Sequence, residues 1–320
     1  MKKITVNSND AGQRLDKFLI KYFKTMPQSM VYKALRKKRV RVNGKHEKEA
    51  FKLSCGDVLE LYINDEFFEA QENKTFSAIK TPELSIVYED ENILLCDKPQ
   101  GMVVHSDENE SVNTLINHIQ SYLYNKEEYL PENEQSFAPA LANRIDRNTR
   151  GIVIAVKNAE SLRIINDKIK NREIQKFYLC VVCGHPKKQS DRITSYLIKN
   201  EKENTVAVYD NPRKNAKTAI LDYKTKKTYK NHTLCEVELH TGRTHQIRAQ
   251  MAHIGCPLLG DGKYGITGRK AQVNKQALIS YKLKFDFKTD AGILNYLNGK
   301  TFEIKNPDFG KEVNNILSGN

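Results

Sequence analysis

Apolar residues change their spacing along this chain, and that change limits its fold more than any other feature. Between Leu15 and Phe23 they recur every three or four residues, which is typical of an amphipathic helix. Later, Ile152–Val156 is a continuous apolar run, and Cys235–Leu239 alternates apolar with polar residues, as buried and half-buried strands do. With 320 residues, the chain is long enough for two domains. The pattern predicts a small helical module followed by a larger strand-rich domain with interspersed helices.

The small module continues past its first helix. Ser29 is the predicted N-cap of a second helix that runs to about Lys38. The alternating segment Arg39–Val42 then leads into Asn43-Gly44, a dipeptide that favours a tight hairpin turn. A further strand is predicted over Val58–Ile63. The module is therefore expected to combine two helices with a small sheet.

Charge is unevenly distributed along the chain. Its 52 Lys and Arg against 39 Asp and Glu give a net charge of +13, which divides into +9 for residues 1–63, −12 for 64–135 and +16 for 136–320. Six cations fall within nine residues of the second helix and the strand after it. This basic ridge consists of Lys33, Arg36, Lys37, Lys38, Arg39 and Arg41. A cation-rich helix end explains two or three of these charges through the helix dipole. A cluster of six cations favours a polyanionic partner such as nucleic acid.

Composition argues against several classes of protein. No apolar run is long enough to cross a bilayer, and the first residues lack the apolar segment of a secretory signal. Six cysteines in 320 residues do not make a disulfide framework. A reducing, cytoplasmic setting is therefore expected.

Three motifs suggest a cofactor or a metal, but each lacks its required context. Gly260–Gly265 fits G-x-G-x-x-G, yet it follows a helix and a proline rather than a strand, so a loop beside the site is the better interpretation. Cys180 and Cys183 would lie on opposite faces of a strand, which favours buried thiols over zinc ligands. His245 and His253 have no carboxylate at a metal-ligand spacing. We therefore expect no metal and no cofactor.

Two polar clusters remain as candidates for chemistry. Asp146 lies between Arg144 and Arg147, just before the apolar strand; in isolation such a segment is usually a salt-bridged surface turn. The second cluster, His240–Arg248, gathers cations where a strand leads into a helix, an arrangement that suits phosphate. Together they suggest a carboxylate within a phosphate-binding surface.

The N-terminal module resembles the S4 RNA-binding domain. The resemblance rests on Gly12–Leu19, the basic second helix, Val40–Gly44 and Gly56-Asp57, in that order and spacing. It implies a small α/β module of the S4 (αL-like) type that binds structured RNA and has no chemistry of its own.

The larger domain resembles the RluA-type family of RNA pseudouridine synthases. The matching segments are Asp97–His105, Asn143–Gly151, Lys176–Leu179, the cluster around Arg243, and Gly260–Gly265. The family usually has His at position 143, Asp at 148 and Ser at 150, whereas this chain has Asn, Asn and Arg. These differences bear on which uridine is chosen more than on the reaction.

The resemblance implies roles for individual residues. Asp146 is the catalytic carboxylate, Arg243 the guanidinium that keeps it charged, and Arg144 the side chain that fills the vacated stack. Tyr178 is the ring that stacks on the base, and its hydroxyl could assist removal of the C5 proton. Phe177, next to Tyr178, is expected to face the core. The predicted RNA contacts are Arg144, Arg147, Lys33, Arg36, Lys37, Lys38, Arg39, Arg41, His245 and Arg248.

The predicted fold class is α+β, with a mixed or antiparallel sheet and flanking helices in the larger domain. The expected division is an S4 domain over 1–70, a linker over 71–83 and a catalytic domain over 84–320. The expected function is pseudouridine formation in structured RNA, most simply 23S rRNA, by a cytoplasmic monomer without membrane contact. Two alternatives stay open: the same reaction on tRNA, and a non-catalytic RNA-binding protein.

Overall fold

The fold is seen in a computed structural model, which describes residues 1–68, 75–265, 273 and 275–318. The N-terminal part contains two helices and a three-stranded sheet of order β1-β3-β2. Its elements are β1 (Lys2–Thr5), α1 (Leu15–Tyr22), α2 (Gln28–Arg36), β2 (Val40–Val42) and β3 (Val58–Leu61).

Local sequence explains most of this module. Leu15, Phe18 and Leu19 on α1 are fully buried in the module's own apolar cluster, as the helical spacing predicted. Asn43 and Gly44 both have positive φ and form the predicted tight turn. The N-cap of α2 is Pro27 rather than Ser29, so the helix begins at Gln28. Proline fixes φ near the helical value and therefore suits a helix start.

Two short helices lie in the acidic stretch after the module. Short 3₁₀ helices cover Asp65–Phe67 and Thr75–Ala78, whereas residues 69–74 lie outside the described part. Phe67 and Phe68 pack against the module's core, and Phe76 is buried beside the first helix of the larger part. Phe67 and Phe68 thus belong to the end of the predicted S4 domain, and Phe76, in the predicted linker, docks on the larger part.

A large mixed sheet dominates the rest of the described chain. It has eleven strands, nine of them in the order β10-β9-β11-β12-β8-β13-β7-β5-β4, with β14 beside β13 and β6 beside β7. All its pairings are antiparallel except β13 with β7. The strands are β4 (Ile86–Glu89), β5 (Ile93–Lys98), β6 (Ala140–Leu141), β7 (Arg150–Val156), β8 (Ile174–Cys183), β9 (Ser190–Asn200), β10 (Thr205–Tyr209), β11 (Lys217–Thr228), β12 (His232–Leu239), β13 (Leu278–Phe285) and β14 (Thr301–Glu303).

Helices cover parts of both faces of this sheet. They are α3 (Leu115–Asn125), α4 (Ala159–Lys170), α5 (Gln246–His253) and α6 (Lys311–Ser318). The Asn158 side chain accepts a hydrogen bond from the Ser161 N–H at 2.8 Å and caps the start of α4. The α+β prediction, with a mixed sheet and flanking helices, is confirmed. None of the helices in the described ranges has the length and apolar character that a bilayer crossing requires.

Candidate active site

The loop between β6 and β7 presents Asp146. The Thr149 N–H donates to the Asp146 carbonyl at 3.0 Å, which closes a tight turn. The fully buried Lys98 ammonium donates to the carbonyls of Pro99, Met102 and Arg147 at 2.8–3.0 Å. These bonds tie the loop to the end of β5 and fix where the carboxylate points.

Gly151 allows the strand after this loop to approach its neighbour. It has φ +130°, and a Cβ at this position would lie 2.2 Å from the Ser280 carbonyl oxygen. That is far inside van der Waals contact, so a larger residue would push β7 away from β13. The single parallel contact of the sheet, which pairs Gly151 with Ser280, therefore depends on glycine here.

Two of the residues that differ from the usual family pattern make specific contacts. The Asn143 side chain accepts a hydrogen bond from the Ile154 N–H at 2.7 Å and fastens the loop to β7. The Arg150 guanidinium donates through two nitrogens to Asp97, and a third donates to the Asp308 carbonyl at 3.0 Å. Asn143 therefore both fastens its loop and lines the cleft, whereas Arg150 lies outside the cleft lining.

An arginine on α5 contacts the candidate carboxylate. Arg248 Nη1 lies 3.2 Å from Asp146 Oδ2, while its Nε and Nη2 donate to Asp261 at 2.7 and 2.8 Å. Arg248 is 6% exposed and the Asp261 side chain is fully buried. Burial raises the pKa of Asp261, but Arg248 and the backbone N–H groups of Lys263 and Tyr264 together hold it below its usual value. Asp261 thus anchors the guanidinium so that its remaining nitrogen faces Asp146.

This geometry corrects the prediction that Arg243 is the guanidinium partner of Asp146. Arg243 is exposed, and its Nε donates to the Thr218 carbonyl at 3.0 Å. The physical reason is that α5 begins only at Gln246, so Arg243 lies before the helix on the rim. Arg248 lies in the buried first turn. Arg243 still lines the same cleft.

Tyr178 lies in the middle of β8 and lines the cleft. It is 6% exposed and packs with Ile145 and Leu278, whereas Phe177 joins the core on the opposite face of the sheet. Burial raises the pKa of Tyr178 to about 12, and the negative charge of Asp146 adds to this. The phenol is therefore neutral at neutral pH. Phe177 faces the core as predicted.

The cleft has a volume of about 1230 Å³ and a cationic rim. Arg144 and Arg147 are exposed along it, and Arg147 Nη2 donates to Asp107 at 2.8 Å. His245 lies deeper, with Nε2 3.9 Å from Asp146 Oδ2. The structure thus brings together the predicted residues Asp146, Tyr178, Arg144, Arg147, Arg243, His245 and Arg248.

The basic ridge does not belong to this cleft. Five of its six cations are exposed on the end of α2 and just beyond it. Arg41 on β2 is half-buried and its guanidinium lies 5.3 Å from the centre of the Tyr62 ring. None of the six lines the cleft. They form a separate positive surface on the module.

A possible cation position lies on the sheet near the rim. Asp222, Glu238 and His240 have ligand atoms within 4.8 Å of one another. Arg192, however, donates to both oxygens of Asp222 at 2.6 and 2.7 Å, so a guanidinium already neutralises this carboxylate.

Cys180 is buried in the core as predicted, and Cys183 is half-buried.

Sequence reasoning missed the roles of Lys98 and Asp261. In the sequence, Lys98 stands within the longer segment Asp97–His105 and Asp261 within Gly260–Gly265. Signals were available: an aspartate between two glycines suits a tight turn that aims its carboxylate, and a lysine at the end of an apolar strand is placed to be buried.

Comparisons with known proteins show which family this chain is similar to. Residues 92–253 match the sequence profile of the RNA pseudouridylate synthase family. An uncharacterized RNA pseudouridine synthase of Mycoplasma capricolum is 34% identical over 97% of this chain and 99% of its own length. The ribosomal large subunit pseudouridine synthase C of Vibrio cholerae is 32% identical over 82% of this chain and 80% of its own.

Solved structures share the fold. Human RNA pseudouridylate synthase domain containing 1 superposes with a TM-score of 0.55 at 21% identity, over 71% of this chain and 84% of the human one. Human RNA pseudouridylate synthase domain containing 4 gives 0.54 at 18% identity, over 70% and 89%. With the matches in sequence, this means that the chain belongs to the RNA pseudouridine synthase family and isomerises uridine to pseudouridine in RNA.

Proposed function

We propose that Asp146 is the catalytic carboxylate of this enzyme and that its RNA target is 23S rRNA. The observation that carries the first part is the position of Asp146 in the cleft, with one oxygen held by Arg248 and the other without a partner among the described residues. A carboxylate held in this way is positioned on one side and available on the other.

The reaction moves bonds within one nucleotide. The N1–C1′ bond of uridine breaks, the base turns, a C5–C1′ bond forms, the proton on C5 leaves and N1 gains one. Asp146 attacks the sugar or the base, or takes a proton in a glycal route; each of these needs an ionised carboxylate. Arg248, 3.2 Å away and anchored by Asp261, places a positive charge beside this carboxylate.

The base must leave the RNA stack to reach the cleft, at a cost of a few kcal/mol. Arg144, exposed on the rim, is placed to fill the gap in the stack. Tyr178 offers its ring to the flipped base. Because its phenol is neutral at neutral pH, stacking is favoured over abstraction of the C5 proton.

Three observations support the choice of 23S rRNA. The Vibrio cholerae relative is named a ribosomal large subunit pseudouridine synthase. The N-terminal module resembles an S4 domain, and its basic ridge provides a second surface for phosphates. A target in rRNA also implies a cytoplasmic enzyme, and we propose that it acts as a monomer.

The test uses a strain that lacks this gene, complemented with wild type, Asp146→Asn or Asp107→Asn. Asp107 is a matched control, because it is another aspartate that lines the cleft but lies on its exposed rim. Pseudouridines are mapped across 23S rRNA and tRNA. Wild type and Asp107→Asn should restore positions in 23S rRNA, whereas Asp146→Asn should restore none while binding RNA about as well as wild type.

Each alternative has a distinct outcome in this experiment. Restoration by Asp146→Asn would contradict the assignment of the carboxylate. Positions lost and restored only in tRNA would contradict the rRNA target. If no position depends on the gene, the protein acts as an RNA-binding protein in this strain.

A further inference from the structure

A histidine, a tyrosine and a backbone amide form a chain of contacts that ends at the candidate carboxylate. His245 Nδ1 lies 3.0 Å from the Tyr264 hydroxyl, and its Nε2 lies 3.9 Å from Asp146 Oδ2. The Val206 N–H, on strand β10, donates to the same hydroxyl at 2.8 Å. The chain thus runs from the edge of the sheet to the cleft.

We propose that Tyr264 fixes His245 in the tautomer with its proton on Nε2, and that His245 is a positioning residue for Asp146. This inference rests on the proposed function, since it concerns the same carboxylate. The Tyr264 hydroxyl has one proton and already accepts a hydrogen bond from Val206, so its proton is available to Nδ1.

The negative charge of Asp146 favours one of the two tautomers of His245. A proton on Nδ1 would leave the lone pair of Nε2 facing Asp146 Oδ2, and two electron-rich atoms repel. A proton on Nε2 instead directs an N–H dipole at that oxygen. The separation of 3.9 Å is longer than a hydrogen bond. A shift of about 1 Å when RNA closes the site would complete it, as catalytic hydrogen bonds often tighten on substrate binding.

The surroundings keep both rings in the required protonation state. Burial lowers the pKa of His245; Asp146 and Asp261 oppose this effect, and Arg248 and Lys263 reinforce it. The imidazole is therefore neutral at neutral pH. Burial also raises the pKa of Tyr264, so the hydroxyl keeps its proton.

The arrangement identifies the reactive oxygen. Arg248 and His245 both approach Asp146 Oδ2, and Oδ1 has no partner within the part of the chain that the structure describes. Oδ2 is thus the held oxygen and Oδ1 the one that attacks or accepts a proton. The backbone of His245 is unusual for the same purpose: it precedes α5 with φ 51°, which turns the ring back toward the cleft.

Nuclear magnetic resonance of the full chain with ¹⁵N-labelled histidine tests the tautomer directly. The His245 signal is assigned by its loss in His245→Gln, and the two ring nitrogens distinguish the tautomers. We expect a neutral ring protonated on Nε2 in wild type and a mixture of tautomers in Tyr264→Phe. A ring that is protonated on Nδ1, or cationic at pH 7, would overturn the proposal.

Single-turnover rates test the consequence for catalysis. Tyr264→Phe should lower the rate about tenfold, the usual worth of one hydrogen bond. The Gln amide nitrogen reaches the position of Nε2, whereas the Asn nitrogen reaches only that of Nδ1. His245→Gln should therefore retain more activity than His245→Asn, although Asn is the better residue at positive φ. Equal rates for these two variants would contradict the inference.

His253→Gln is the matched control, since it makes the same change on an exposed position of the same helix and should leave the rate unchanged. Failure of this inference is distinguishable from failure of the proposed function. If Asp146→Asn is inactive but His245 is protonated on Nδ1, only the inference fails. If Asp146→Asn is active, the carboxylate itself is wrongly assigned, whichever tautomer His245 adopts.

Discussion

The cations of the N-terminal module and those of the large sheet differ in their surroundings. In the basic ridge, none of the six cations forms an ion pair with a carboxylate of the described residues, and five are exposed. In the larger part, Arg248 and Lys168 are 6% and 1% exposed, and both contact carboxylates within 3.2 Å. The net charge of +13 thus combines two kinds of cation.

The difference shows which property each kind controls. An exposed, unpaired cation is available to RNA phosphates, and its removal weakens binding in a way that depends on salt. A buried cation holds a desolvated carboxylate, and its removal leaves that charge without compensation. Substitutions at the two kinds of position should therefore change different measurements.

The largest effect is expected from Arg248→Lys. Lysine keeps the charge but cannot pair with Asp261 through two nitrogens while directing a third at Asp146. The single-turnover rate at saturating RNA should fall about 10²–10³-fold, as when one preorganised donor is removed from an active site. Thermal melting checks that the variant remains folded.

Arg243→Lys is the matched control for Arg248→Lys. Arg243 lines the same cleft but bonds only to a backbone carbonyl on its rim, so its rate should change less than about fivefold. If Arg243→Lys proved the more damaging of the two, the contact between Arg248 and Asp146 would not be the one that matters for the reaction.

Features set by neighbouring residues could be predicted from the sequence. The apolar stripe on α1 and the Asn43-Gly44 turn each depend on a few adjacent positions. The carboxylate and its cleft were reached through a resemblance that joins distant segments. From local pattern alone, the segment around Asp146 would be interpreted as a salt-bridged surface turn.

Contacts that depend on the exact start of a helix, or on strands far apart in sequence, could not be predicted. Choosing between Arg243 and Arg248 required knowing that α5 begins at Gln246. Asp261 contacts Arg248 only because the loop after α5 folds back onto the first turn of that helix, and no local pattern predicts this fold. The parallel contact of Gly151 with Ser280 joins strands separated by more than a hundred residues, which no local pattern encodes.

The buried ion pair between Lys168 and Glu173 is expected to stabilise the fold. Lys168 Nζ donates to the buried Glu173 carboxylate at 2.8 Å and to the hydroxyl of the exposed Thr289 at 2.6 Å. Lys168→Met would leave the Glu173 carboxylate buried without its cation, at a cost of about 3–5 kcal/mol. Urea unfolding measures this loss. Lys170→Met, an exposed position on the same helix, should change stability by less than about 0.5 kcal/mol.

The same pair predicts a response to acid. The hydrogen bond from Lys168 lowers the pKa of Glu173 to about 2 in the folded state. A lowered pKa contributes stability that is present above the unfolded value, near 4.5, and is lost as pH falls toward 2. Glu173→Gln should therefore flatten the loss of stability between these pH values. An unchanged acid profile would show that this pair does not control it.

The smallest effect is expected where the cations are exposed. Replacing Lys33, Lys37 and Lys38 with Gln removes three charges from the basic ridge without uncovering a buried partner. The slope of log affinity for RNA against log salt should become shallower by about 2–3, since each phosphate contact contributes about 0.7–0.9. The control replaces Lys17, Lys21 and Lys24, which are exposed on and just after α1 and away from the ridge, with the same loss of charge. Equal slopes for the two triple variants would mean that the module attracts RNA by its net charge alone; a shallower slope only for the ridge variant would locate the phosphate contacts there.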